Sequence, residues 1–254
     1  MAEKINKRKK KKDKRNRIYL LPNLFTTGNL FCGFFGLIAA IEGHYAKAAI
    51  AILFAMIFDI LDGRIARFTG ATSRFGIEYD SLCDLVSFGV APAILVFTFA
   101  LESYGRYGWL AAFLYVACAA LRLAKFNVQA AREPNYFSGL PSPGAAGLMA
   151  STVLFSLWIG LEQPVKHIAI LLMVYIVSYL MVSNAPYPSF KKLTFAERHP
   201  FYSLVFFVLF LTVIAAEPHV TLFVGFLLYA TSGPFLLALR ARRGQKVPVS
   251  SEIQ

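Results

Sequence analysis

Charge is scarce in this chain: Asp, Glu, Lys and Arg make up 16% of its 254 residues, and only 14 positions are acidic. With 57% hydrophobic residues and a mean hydropathy of +0.56, that excludes a soluble globular domain and leaves an integral membrane protein. Cysteine is also sparse. Cys32, Cys83 and Cys118 are odd in number and lie in apolar runs, so they read as small core residues and not as a disulfide framework. His44, His167, His199 and His219 are scattered at the ends of such runs, so no His/Cys cluster offers a zinc or iron site. There is no internal repeat, and no small-residue cleavage site follows the apolar run that begins near Leu20.

What is present is a series of apolar runs, most of them long enough to cross a hydrocarbon core of about 30 Å as helices of about 20 residues. They fall at 24–41, 46–66, 76–100, 108–128, 143–160, 165–183, 201–216 and 219–239. The expected fold is therefore all-α, a polytopic membrane bundle of about eight transmembrane helices, the last two joined at Glu217 and Pro218 or forming one bent hairpin. Residues 18–240 form the membrane domain, flanked by a disordered polybasic tail at 1–17 and a second tail at 241–254. The longest soluble connection within the domain is 129–142.

Basic residues orient the bundle. With the N-terminus inside, 23 of the 26 Lys and Arg residues fall on the cytoplasmic side, and only Lys47, Arg106 and Lys166 fall outside. The positive-inside rule then puts both termini in the cytoplasm, together with the junction between the second and third spans. The tail MAEKINKRKKKKDKRNR lies too close to the first span to read as a nucleic-acid arm. Anionic headgroups are its expected partner, at about 1 kcal/mol per basic residue near the surface.

At that cytoplasmic junction stand Asp59, Asp62, Asp80 and Asp84. Acids in membrane segments are costly and mark sites. Asp59 and Asp62 are three positions apart, and Asp80 and Asp84 four, so each pair projects from one helix face. Gly63 and Ala66 continue the first stripe and leave room for a ligand. Carboxylate oxygens suit a hard divalent cation such as Mg²⁺ or Mn²⁺. Simple pairing with Arg64, Arg67 and Arg74 is the alternative, but it would not require Gly63, Ala66 and Gly76 as well.

The full pattern, D-x2-D-G-x2-A-R-x8-G-x3-D-x3-D, is met by Asp59, Asp62, Gly63, Ala66, Arg67, Gly76, Asp80 and Asp84. It resembles the signature of the CDP-alcohol phosphotransferase family. Upstream, PNLFTTGNLFCGFFG places Thr26, Asn29, Gly33 and Gly36 on one helical stripe, with Asn23 at its start. The two glycines also suit close helix packing. This stretch, with ALRLAKFNVQ and YFSGLPSPGAAG downstream, resembles segments of the family's phosphatidylserine synthase branch. The likeness covers residues 18–190.

The resemblance implies transfer of a phosphatidyl group from CDP-diacylglycerol to L-serine, releasing CMP, in a homodimer at the cytoplasmic membrane. It implies two Mg²⁺ or Mn²⁺ ions held by Asp59, Asp62 and Asp80, with Asp84 as general base and further metal contact. Asn23, Thr26, Asn29, Gly63, Ala66, Arg67 and Gly76 are expected around the nucleotide. Arg122, Lys125, Asn127, Gly139 and Pro141 are expected around serine, with Arg122 the first choice for its carboxylate. No H-x-K-x4-D element is present, so a covalent phosphohistidine route is unavailable and direct displacement is expected.

Three other readings compete. A sibling enzyme would use glycerol 3-phosphate or an inositol phosphate and require a larger basic pocket. A membrane prenyltransferase would carry tighter, repeated D-x3-D clusters. A divalent-cation transporter would place its acids near the bilayer midplane, with polar paths from both sides.

Overall fold

The computed structural model describes residues 2–69, 73–129, 137–161, 167–187, 212 and 216–242. It is a helical membrane bundle. Helix α1 spans Ala2–Ile41 and α2 spans Tyr45–Thr69, joined by a turn in which Gly43 has φ +78°. The basic tail, expected as disordered, is helical from Ala2 onward. Lys and Arg are good helix formers, and no Gly or Pro interrupts residues 2–21.

Small residues bring α1 and α2 together. Ala48, Ala49, Ala51, Ile52 and Ala55 form the buried face of α2. Gly36 lies so close to it that an added Cβ would stand 3.2 Å from the Ala48 carbonyl oxygen. The packing role expected of the glycine stripe is therefore present.

The third span, Arg74–Tyr104, is one continuous helical rod of changing pitch. It opens with α3, Arg74–Asp84, whose N-cap Ser73 accepts a 2.9 Å bond from the Gly76 amide. A π-helical turn at Leu85–Val90 leads into α4, Ala91–Val96, and a second at Phe97–Leu101 leads into a 3₁₀ turn, Glu102–Tyr104. Pro92 in α4 has no amide hydrogen to give to the Phe88 carbonyl one turn back. The Tyr115 hydroxyl takes that carbonyl at 3.0 Å, and the Tyr45 hydroxyl bonds the Thr98 carbonyl at 3.2 Å. Neighbouring helices thus satisfy backbone groups that the irregular pitch releases.

Tyr115 belongs to α5, Arg106–Gln129. Helix α6, Ser142–Trp158, is the central element, buried continuously from Gly144 to Leu154. Around it stand α7, Ile168–Val182, and α8, Pro218–Arg242. Strands β1, Phe137–Ser138, and β2, Pro186–Tyr187, pair antiparallel, with Phe137 opposite Tyr187. Large apolar side chains including Phe31, Phe54, Phe113, Ile176 and Leu228 face outward, as a lipid-facing surface requires.

Four described helical segments are long and apolar enough to cross a membrane: Pro22–Ile41, Arg74–Tyr104, Arg106–Val128 and Pro218–Leu239. They coincide with the first, third, fourth and eighth expected spans. Helix α2 occupies the second expected span but carries Lys47, Asp59 and Asp62 within it. Helix α7 has 15 residues where a span was expected at 165–183. At 1.5 Å per residue it reaches about 22 Å, short of the hydrocarbon core. The expected span at 201–216 lies outside the described residues, apart from residues 212 and 216.

Candidate active site

Asp59 and Asp62 stand near the C-terminal end of α2, and Asp80 and Asp84 on α3. One carboxylate oxygen each from Asp59, Asp62 and Asp80 lie within 4.8 Å of one another. The three acids come from two helices, so the grouping depends on how α1, against which both pack, sets α2 and α3. Asp62 is 5% exposed, and one oxygen each of Asp62 and Asp80 is buried with no hydrogen-bond partner. Among the described residues, no Lys or Arg forms an ion pair with any of the four aspartates. The alternative of acids neutralised by Arg64, Arg67 and Arg74 is therefore not realised. Arg67 instead turns back along its own helix, its Nε donating to the Gly63 carbonyl at 2.9 Å.

Three negative groups this close repel strongly in a low-dielectric setting. Their oxygen-only donor set, with one oxygen each of Asp62 and Asp80 lacking a hydrogen-bond partner, fits a hard divalent cation. An added Cβ at Gly63 would meet only Arg67 Nη2, at 3.9 Å, so the space beside the acids is open. Ala66, partly buried one turn on, adds little bulk to that stripe.

Asp84 adjoins the three-acid group, within electrostatic reach of Asp59, Asp80 and Asp62. It is 9% exposed, and its Oδ1 accepts a 2.9 Å hydrogen bond from Asn29 Nδ2 on α1. Asn29 is fully buried, and its own Oδ1 has no partner. The Ser87 hydroxyl, in the first π-helical turn, donates to the Asn29 carbonyl at 3.0 Å. Gly33 makes this approach possible, since a Cβ there would stand 2.6 Å from the Ser87 Cα. Thr26, one turn before Asn29, is buried beside Asp62, with its hydroxyl also 3.2 Å from the Pro22 carbonyl. Asn23 reaches Gly76, where a Cβ would lie 3.4 Å from Asn23 Oδ1.

The helices that frame these residues match a family model described as CDP-alcohol phosphatidyltransferase over residues 19–182. The chain belongs to that family. It is 35% identical over 219 residues to a CDP-diacylglycerol–serine O-phosphatidyltransferase of Helicobacter pylori, covering 86% of this chain and 91% of that one. The corresponding enzyme of Bacillus subtilis is 36% identical over 172 residues, covering 68% of this chain and 92% of the relative. An archaetidylserine synthase of Methanothermobacter thermautotrophicus is 39% identical over 170 residues, covering 66% and 69% respectively.

The other residues expected of a phosphatidyltransferase site divide into two groups. Arg122 joins the centre: it is largely buried on α5, within electrostatic reach of Asp84, and its Nη1 donates to Ser142 Oγ at 3.0 Å. Its Nε is buried without a partner. The second group ties elements together. Asn127 binds Ser81 at 3.0 Å and Glu78 at 3.3 Å, and Lys125 binds the Asn184 side chain at 3.1 Å. Gly139, at φ +84°, sits against the end of α7, where a Cβ would lie 2.9 Å from the Ser183 carbonyl oxygen. Pro141 precedes the first residue of α6, and its carbonyl accepts the Ala145 amide at 2.9 Å.

Ser87 and Ser142 are the polar partners that sequence reasoning missed. Ser142 lies inside the Pro-rich segment GLPSPG, between two prolines that signal a turn and not a polar contact. Ser87 stands in an apolar run with no local signal; only its position opposite Gly33 reveals its use.

Proposed function

We propose that this chain transfers the phosphatidyl group of CDP-diacylglycerol to the hydroxyl of L-serine, giving phosphatidylserine and CMP. The observation that carries the chemistry is the convergence of Asp59, Asp62 and Asp80 with no ion pair to a cationic side chain among the described residues. Serine as acceptor is common to the names of the relatives above.

In this reading Asp59, Asp62 and Asp80 hold two divalent ions, Mg²⁺ or Mn²⁺, with Asp84 at the edge of that cluster. Such ions, when bound, neutralise the pyrophosphate and the charge developing on CMP. Gly63 and Ala66 leave space for cytidine, Asn23, Thr26 and Gly76 line the same end, and Arg67 faces the phosphates. Asp84, steadied by Asn29, takes the proton of the serine hydroxyl. The serine oxygen forms its bond to the phosphatidyl phosphorus as the phosphorus–oxygen bond to CMP breaks, the electron pair leaving with CMP. Arg122 pairs with the serine carboxylate, for which its unpartnered Nε and its planar geometry are suited.

The lipid tails of the donor remain in the bilayer while nucleotide and serine enter from the cytoplasm. The apolar runs support eight spans, and the distribution of basic residues supports both termini and the site on the cytoplasmic side of the cell membrane. The family resemblance supports a homodimer.

The deciding experiment incubates purified protein with CDP-diacylglycerol and Mg²⁺ or Mn²⁺, offering serine, glycerol 3-phosphate or inositol phosphate. Formation of phosphatidylserine and CMP with serine is the expected result. Preferred turnover with glycerol 3-phosphate would overturn the acceptor while leaving the aspartate chemistry in place.

A further inference from the structure

Helix α8 lies beyond the residues matched by the family model, yet it packs against α6, whose Ser142 bonds Arg122. Two glycines one turn apart on α6 receive two aromatic rings one turn apart on α8. Gly147 lies under Phe226, and a Cβ at Gly144 would stand 2.9 Å from Tyr229 Cε1. The register is locked again at Tyr187, whose hydroxyl donates to the Ala230 carbonyl at 2.9 Å and whose ring covers Gly233.

This docking places Tyr229 over Gly144, two residues from Ser142, the hydroxyl that receives Arg122 Nη1 at 3.0 Å. The Tyr229 phenol and the Arg122 guanidinium lie within electrostatic reach of each other. Arg122 therefore bonds Ser142 and lies in the electrostatic field of Tyr229, while its buried Nε remains without a partner.

We propose that Tyr229 is a positioning residue for acceptor selection: seated on Gly144, it works with Ser142 to set the plane of the Arg122 guanidinium that receives the acceptor's carboxylate. The proposal rests on the serine reading of Arg122 given above. It assigns to α8 a part in choosing an amino-acid acceptor, separate from the metal-dependent chemistry carried by the family-matched helices. A misaligned guanidinium loses two-pronged pairing while keeping its charge, so the effect falls on acceptor affinity.

Steady-state kinetics of Tyr229→Phe, Gly144→Ala and Arg122→Lys test this. Tyr229→Phe keeps the ring on Gly144 and removes the hydroxyl. It should raise the serine KM by about fivefold or more while leaving kcat and the CDP-diacylglycerol KM within about twofold. Gly144→Ala, which displaces the ring, should give the same acceptor-selective rise, and Tyr229→Phe should add little to Arg122→Lys because both act through one guanidinium. A serine KM unchanged in Tyr229→Phe, or both KM values rising together, overturns the proposal. If Arg122→Lys raises the serine KM and Tyr229→Phe does not, only the role of Tyr229 falls. If Arg122→Lys leaves it unchanged, the carboxylate reading of Arg122 falls as well.

Discussion

Asn29 on α1 donates from Nδ2 to Oδ1 of Asp84 at 2.9 Å, across 55 positions of sequence and inside the bundle. The bond gives the fourth aspartate a fixed orientation. If Asp84 is the base, Asn29→Ala should lower kcat by about 10²-fold while metal-dependent CMP binding stays near wild type. Calorimetric titration with CMP beside turnover measurements separates the two effects. Loss of CMP affinity in step with the rate would make Asn29 a nucleotide contact instead.

Asp84→Asn should cut the rate by about 10² to 10⁴-fold and retain most of the nucleotide affinity. Collapse of CMP affinity along with the rate would reassign Asp84 as chiefly a metal ligand.

Asp59→Asn, Asp62→Asn and Asp80→Asn should behave as a separate class. Each removes one of three converging carboxylates, so turnover and divalent-ion-dependent CMP binding should be lost together. Near-normal activity in any one variant removes that residue from the site.

Chelation tests the same group without mutation. Protein stripped of divalent ions should lose turnover and recover it on addition of Mg²⁺ or Mn²⁺ but not of Na⁺. Full activity after exhaustive chelation would exclude a cation role for the three acids.

Gly33→Ala places a Cβ 2.6 Å from the Ser87 Cα, a backbone atom that cannot swing aside. Overpacking of this kind costs about 1–3 kcal/mol, so the melting temperature in detergent should fall. Gly225→Ala, where nothing lies within 4 Å of the added carbon, is the matched control and should not destabilise.

The sequence by itself determined the membrane class, the positions of the long apolar helices and the paired acids on α2 and α3. Those features depend on local quantities: hydropathy over about 20 residues, and the 3.6-residue turn that puts positions three or four apart on one face. Gly33 and Gly36 were legible as packing positions for the same reason, because a missing side chain is visible in the sequence.

Only the tertiary structure decided which residues those faces meet. Asp80 joins Asp59 and Asp62 because α2 and α3 both pack against α1, which sets their relative register. Asp84 is left to Asn29, Arg122 to Ser142, and the Phe88 carbonyl to Tyr115. Such pairings depend on how small residues let helix axes approach and on where Pro92 and the π-helical turns shift the pitch. Both effects act through space between distant segments, so neither leaves a periodic trace in any one of them.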